Sequence, residues 1–79
     1  MLQINCVIVQ KLKDRIDGLV LDDITYKVKS IHALIMDVEY DCQDGEKAKV
    51  QLRKYLEQLP EMQAKFLSIK VTDEMGNII

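Results

Sequence analysis

The chain has 79 residues, 48% of them hydrophobic and 30% charged, with one Pro and three Gly. That balance excludes disordered, collagen-like and low-complexity classes and fits one small domain over residues 1–79. Eleven Lys and Arg against thirteen Asp and Glu give a net charge of -2, which argues against bulk neutralisation of nucleic acid phosphates.

No apolar run approaches the ~18 residues of a membrane span. Residues 1–10 carry no basic leader and no cleavage pattern, so a cytoplasmic location is expected. Two cysteines, Cys6 and Cys42, are too few for a secreted disulfide scaffold and read as reduced thiols. A chain this short builds a modest core, and a homodimer or a protein partner is the expected source of further burial.

Leu2, Ile4, Cys6 and Ile8 share one face of an extended segment over 2–9, with Val7 and Val9 on the other. This period of two, with β-branched residues, predicts a strand. Residues 10–23 fit two structures. Leu12, Ile16, Leu19 and Val20 have helical spacing, but Gly18 and Asp22-Asp23 weaken a helix. A hairpin turning at Asp14–Gly18, with Leu19–Leu21 as strand, is preferred because isolated short helices are marginal.

Ile24, Tyr26 and Val28 alternate with Thr25, Lys27 and Lys29. After a break near Ser30–His32, Leu34, Met36, Val38, Tyr40 and Cys42 alternate with Ile35, Asp37, Glu39 and Asp41. This second run predicts a half-buried strand, apolar on one side and acidic on the other. Residues 45–59 form the clearest helix. Asp44 stands at the N-cap, and Ala48, Leu52, Tyr55, Leu56 and Leu59 fall in one arc of roughly 100°. Pro60 ends this helix or opens a short second one. Leu67, Ile69 and Val71 mark a further strand, Asp73–Gly76 a hairpin loop, and Asn77–Ile79 the start of a return strand.

The predicted fold is an α+β two-layer sandwich: a mainly antiparallel sheet with one principal helix, 45–59, on one face. If 11–21 is helical instead, the order becomes a ferredoxin-like βαββαβ.

Asp37, Glu39 and Asp41 are the most distinctive polar set, since alternate strand residues face one way with neighbours ~7 Å apart. Pairing with Lys27 and Lys29 on a neighbouring strand would balance them. Together with Ile35, Val50, Ile78 and Ile79, they are the candidate partner-binding residues of a non-enzymatic protein-interaction module, such as a regulator, inhibitor or assembly subunit. One alternative is a metal-dependent nuclease or phosphoryl-transfer enzyme using the three carboxylates. A second is an RNA-binding sheet using Lys27, Lys29 and Tyr26, with Tyr55 and Phe66 read as core. His32 has no nucleophile near it in sequence, and Cys6, His32 and Cys42 have no zinc-like spacing. No G-x-G, C-x-x-C, H-E-x-x-H or G-x-S-x-G motif occurs. No cofactor, metal site or catalytic residue is therefore assigned, and nucleic acid is disfavoured as a partner.

Overall fold

A computed structural model describes residues 1–62, 66–73 and 77–78. The strands are β1 (Leu2–Asn5), β2 (Val20–Leu21), β3 (Ile24–His32), β4 (Ile35–Tyr40) and β5 (Ser68–Val71). The helices are α1 (Val9–Ile16) and α2 (Gly45–Glu57), followed by a 3-10 turn at Pro60–Met62.

The strands form one antiparallel sheet in the order β2-β3-β4-β1-β5. Leaving aside the two-residue β2, this is a ferredoxin-like order, with a helix after β1 and another after β4. Each helix joins two parallel strands that have one antiparallel strand between them. The α+β class expected from the sequence is correct, and its two-helix variant is the one realised.

The preference for a hairpin over residues 10–23 is corrected. Val9, Leu12 and Ile16 are buried along one side of α1, so tertiary packing stabilises a helix too short to persist alone. The chain turns back later than expected. Asp22 and Asp23 both have positive φ, 49° and 66°, which is the pattern of a type I′ turn between Leu21 and Ile24. Asp tolerates this region because its short side chain bonds locally.

The first strand also ends earlier than its alternation implied. It stops at Asn5; Val7 is exposed and Val9 already belongs to α1. The break expected near Ser30–His32 is instead a bulge inside a continuous strand. Val28 faces Val38 and Ser30 faces Asp37, leaving Lys29 as the extra residue. The turn follows at Ala33 and Leu34.

α2 starts where Asp44 predicts. Its Oδ1 accepts the backbone N–H groups of Glu46 at 3.1 Å and Lys47 at 3.2 Å. Such a cap contributes about 1 kcal/mol. Ala48, Leu52 and Leu56 are buried, Leu59 lies just past the helix, and Pro60 opens the 3-10 turn. Arg15 of α1 reaches Glu61 in that turn at 2.9 Å. Glu61's own backbone amide, and then Arg15, hold its carboxyl below the usual range.

One apolar core lies between the helices and the sheet. It takes Leu2, Ile4, Ile24, Tyr26, Met36, Val38 and Ile69 from the strands. Tyr26 is fully buried, and its hydroxyl donates to the Ala48 carbonyl at 2.9 Å, tying β3 to α2. Thr72 is buried too, because its backbone N–H and hydroxyl both donate to the Met1 carbonyl. The accessible surface is 5110 Å². A monomer of 9.1 kDa is expected to expose about 4,900 Å². The chain thus reaches ordinary compactness without a second subunit.

Candidate functional site

Both helices pack on one side of the sheet, so β-strand alternation sends the remaining side chains to an open second face. Its rows follow from the register. Asp37 and Lys70 flank Gln3, and Ile35 and Ser68 flank Asn5. On β3, Lys27 stands opposite Glu39, Ser30 opposite Asp37 and His32 opposite Ile35.

Ile35, Asp37, Glu39 and Asp41 therefore share this face, as their spacing predicted. The carboxylates do not converge. Asp37 accepts the Ser30 hydroxyl at 3.1 Å, and Glu39 lies 4.0 Å from the Lys29 ammonium. Asp41 accepts the Thr25 backbone N–H at 2.7 Å and so extends the β3–β4 ladder by one residue. Among the described residues no three His, Cys, Asp or Glu groups are placed to hold a metal ion. The row is held by its neighbours, as cross-strand compensation requires.

The other candidates lie elsewhere. Val50 is exposed on α2, on the layer opposite the acidic row. Ile78 is exposed beside Thr72, with which it forms one antiparallel bridge. Ile79 lies outside the described residues, as does most of the Asp73–Gly76 loop. Val50 and the acidic row thus cannot belong to one continuous patch.

Tyr26 is corrected as a nucleic-acid contact, since it points into the core beneath α2. Lys27 and Lys29 are left without an aromatic from β3 beside them, and base stacking requires one. Cys6 is buried with its thiol 3.9 Å from the Met62 sulfur. Cys42 lies past the far end of β4, roughly 25 Å from Cys6 at ~3.3 Å per strand residue. Both are free thiols, well beyond bridging distance. His32 sits at the Cys6 end of the sheet, so Cys6, His32 and Cys42 share no site.

Two shallow depressions lie at the charged end of β4. One, of about 500 Å³, is lined by Met1, Lys29, Glu39 and Tyr40. The other is lined by Thr25, Lys27, Glu39, Tyr40 and Asp41. Tyr40 lies half-buried between the open face and the start of α2. Burial, and then the charges of Cys42 and Asp44, push its phenol above the ordinary value.

The opposite end of the sheet carries the feature that periodicity missed. Val7, Leu34 and Phe66 are 61%, 48% and 71% exposed. They lie just beyond the ends of three neighbouring strands, β1, β4 and β5. The Cys6 amide donates to the Leu34 carbonyl at 3.0 Å, so Leu34 stands beside Cys6, one residue beyond the Asn5–Ile35 pair, while Val7 and Phe66 each lie two residues beyond the Asn5–Ser68 pair. The expectation that Phe66 is core and that Leu34 lines the buried face is thereby corrected. The Leu34 expectation extends the β4 alternation past the last paired residue, whereas the alternation of Leu67, Ile69 and Val71 itself places Phe66 on the other side. Together with half-buried Ile35, the exposed Val7, Leu34 and Phe66 give this end of the sheet an apolar character, against the charged end of β4.

Ala33 adds strain at this end. In a two-residue turn between His32 and Ile35 its φ is +56°, as the first position of a type II′ turn demands, where glycine is favoured. A non-glycine residue in such a conformation costs about 1 kcal/mol or more. Ala33→Gly should raise the thermal midpoint by a few degrees, because relief of the strain is partly offset by glycine's larger unfolded-state entropy. Calorimetry checks this, and an unchanged or lower midpoint would contradict the turn assignment.

Comparison with known proteins identifies no relative. No protein family matches the chain, and neither the curated proteins nor the solved structures hold a significant match.

Proposed function

We propose that this domain is a non-catalytic protein-interaction module that binds through the open face of its sheet. The observation that supports this reading is the apolar end of the sheet, where Val7, Leu34 and Phe66 are exposed just past the ends of three adjacent strands. Single exposed apolar residues are ordinary, whereas a contiguous group with a polar surround is the usual mark of a binding surface. The charged half of the face, Lys27, Lys29, Asp37 and Glu39, would supply orientation and register more than affinity. A regulator, inhibitor or assembly subunit working as a homodimer or on another protein fits this description, and a cytoplasmic location accords with reduced cysteines. No helix among the described residues is long and apolar enough to cross a membrane.

Site-directed photo-crosslinking in the expressing cell tests the reading. A photoreactive residue in place of Val7 should yield a discrete protein adduct, and one in place of Val50 on the opposite layer should not. Equal labelling from both positions, or none from Val7, would remove the open face as the interaction surface.

A further inference from the structure

We propose that the occupant of the open face is a second copy of this chain, packed face to face about a two-fold axis parallel to β1. The proposal rests on the interaction reading above and adds the identity and geometry of the partner.

Three observations carry it. The first is area. The domain measures 30 × 27 × 18 Å, and its thin dimension is the thickness of the two layers. The broad side of the domain therefore measures at most about 30 × 27 Å, an upper bound for the open face that is of the order of one partner's share of a standard interface.

The second is charge placement. Gln3 on β1 is flanked by Asp37 on β4 and by Lys70 on β5. A two-fold axis along β1, lying in the plane between two sheets, exchanges β4 of one copy with β5 of the other and leaves each row level. Asp37 then faces Lys70 of the second copy, and the symmetry makes the pair twice. Lys70 is exposed and belongs to no ion pair among the described residues. The ~30° rotation between aligned packed sheets is within the reach of a lysine side chain. Axes along the neighbouring strands do worse. An axis along β4 would set the acidic row against itself, and one along β5 would do the same to Lys70.

The third is the apolar row. Under the same operation the end of β1 that carries Val7 meets its counterpart in the second copy, and the Ile35 end of β4 meets the end of β5 that carries Phe66. One axis thus brings the apolar ends together and satisfies the charges. A C2 interface requires such self-complementarity of a single patch. Because the monomer already has ordinary compactness, the dimer should be reversible and not a condition of folding.

Sedimentation equilibrium on the full chain tests this. The wild type should pass from 9.1 kDa toward twice that mass as concentration rises. Asp37→Lys and Lys70→Asp should each weaken the dimer at least tenfold, and the double variant D37K/K70D should restore it. Phe66→Ser should abolish it. Circular dichroism confirms that each variant stays folded, and the double variant serves as the internal control for fold. A monomer at every concentration up to millimolar, or a dimer indifferent to the charge exchange, overturns the inference. Crosslinking from Val7 to a protein of another mass, with a monomer in sedimentation, would overturn the second copy alone and leave the interaction surface standing.

Discussion

Raising the pH from 10 to 12 should cost the fold up to about 2 kcal/mol through Tyr26 alone. Burial, and then the charges of Cys42, Asp22 and Asp41, push its phenol from 10.0 to about 12. A raised acid pKa means that the folded state holds the proton more tightly than the unfolded chain does. The stabilisation is therefore complete below about pH 10, where both states are protonated, and is lost as pH climbs through the folded value. The comparison variant is Tyr26→Phe. Near neutral pH it should be less stable by about 1 kcal/mol, because the Ala48 carbonyl loses its phenolic donor. Between pH 10 and 12 its stability should fall less steeply than that of the wild type. Urea unfolding at pH 8, 10 and 11.5 measures both differences. Parallel slopes for the two proteins would show that Tyr26 is not the buried phenol of this core.

Leu52→Ala should cost 2–5 kcal/mol, the range for removing a buried leucine side chain. Leu52 is fully buried at the centre of the α2 stripe, between Ala48 and Leu56. A domain of this size has on the order of 4–12 kcal/mol in total, so this change alone should leave the chain marginal. Val50→Ala, two residues away on the exposed side of the helix, should stay within about 0.5 kcal/mol. The contrast isolates packing from helix propensity, since both changes introduce the best helix former. Comparable losses from the two variants would mean that α2 docks through a different face.

The two effects have one origin. The core is a single layer of side chains between helices and sheet, and Tyr26 and Leu52 reach it from opposite sides. The open sheet face contributes little to this layer, so it is free to vary for binding. The strained Ala33 turn lies at its apolar end, where glycine would relieve the positive φ.

Much of the fold was legible in the residues because the physics that sets it is local and periodic. The stripe Ala48, Leu52, Leu56 and the Asp44 cap specify α2, since helical geometry alone puts those side chains on one face and that carboxylate at the free amides. The two-residue alternation in β4 separates Met36 and Val38 from Asp37 and Glu39 without reference to any neighbour. Other features depended on contacts between distant segments. α1 is a helix because Val9, Leu12 and Ile16 find a core to enter, an event its own eight residues do not encode. Tyr26 and Phe66 exchanged their expected places for the same reason. Whether an aromatic is covered depends on which layer lies over it and where strand pairing stops, and both are settled only when the sheet assembles. Composition and alternation thus determined a small α+β domain with one acidic strand face. Only the tertiary structure decided that this face stays uncovered, that Asp37 and Lys70 stand level across Gln3, and that Val7, Leu34 and Phe66 gather at its end, because each of these is a relation between strands far apart in the chain.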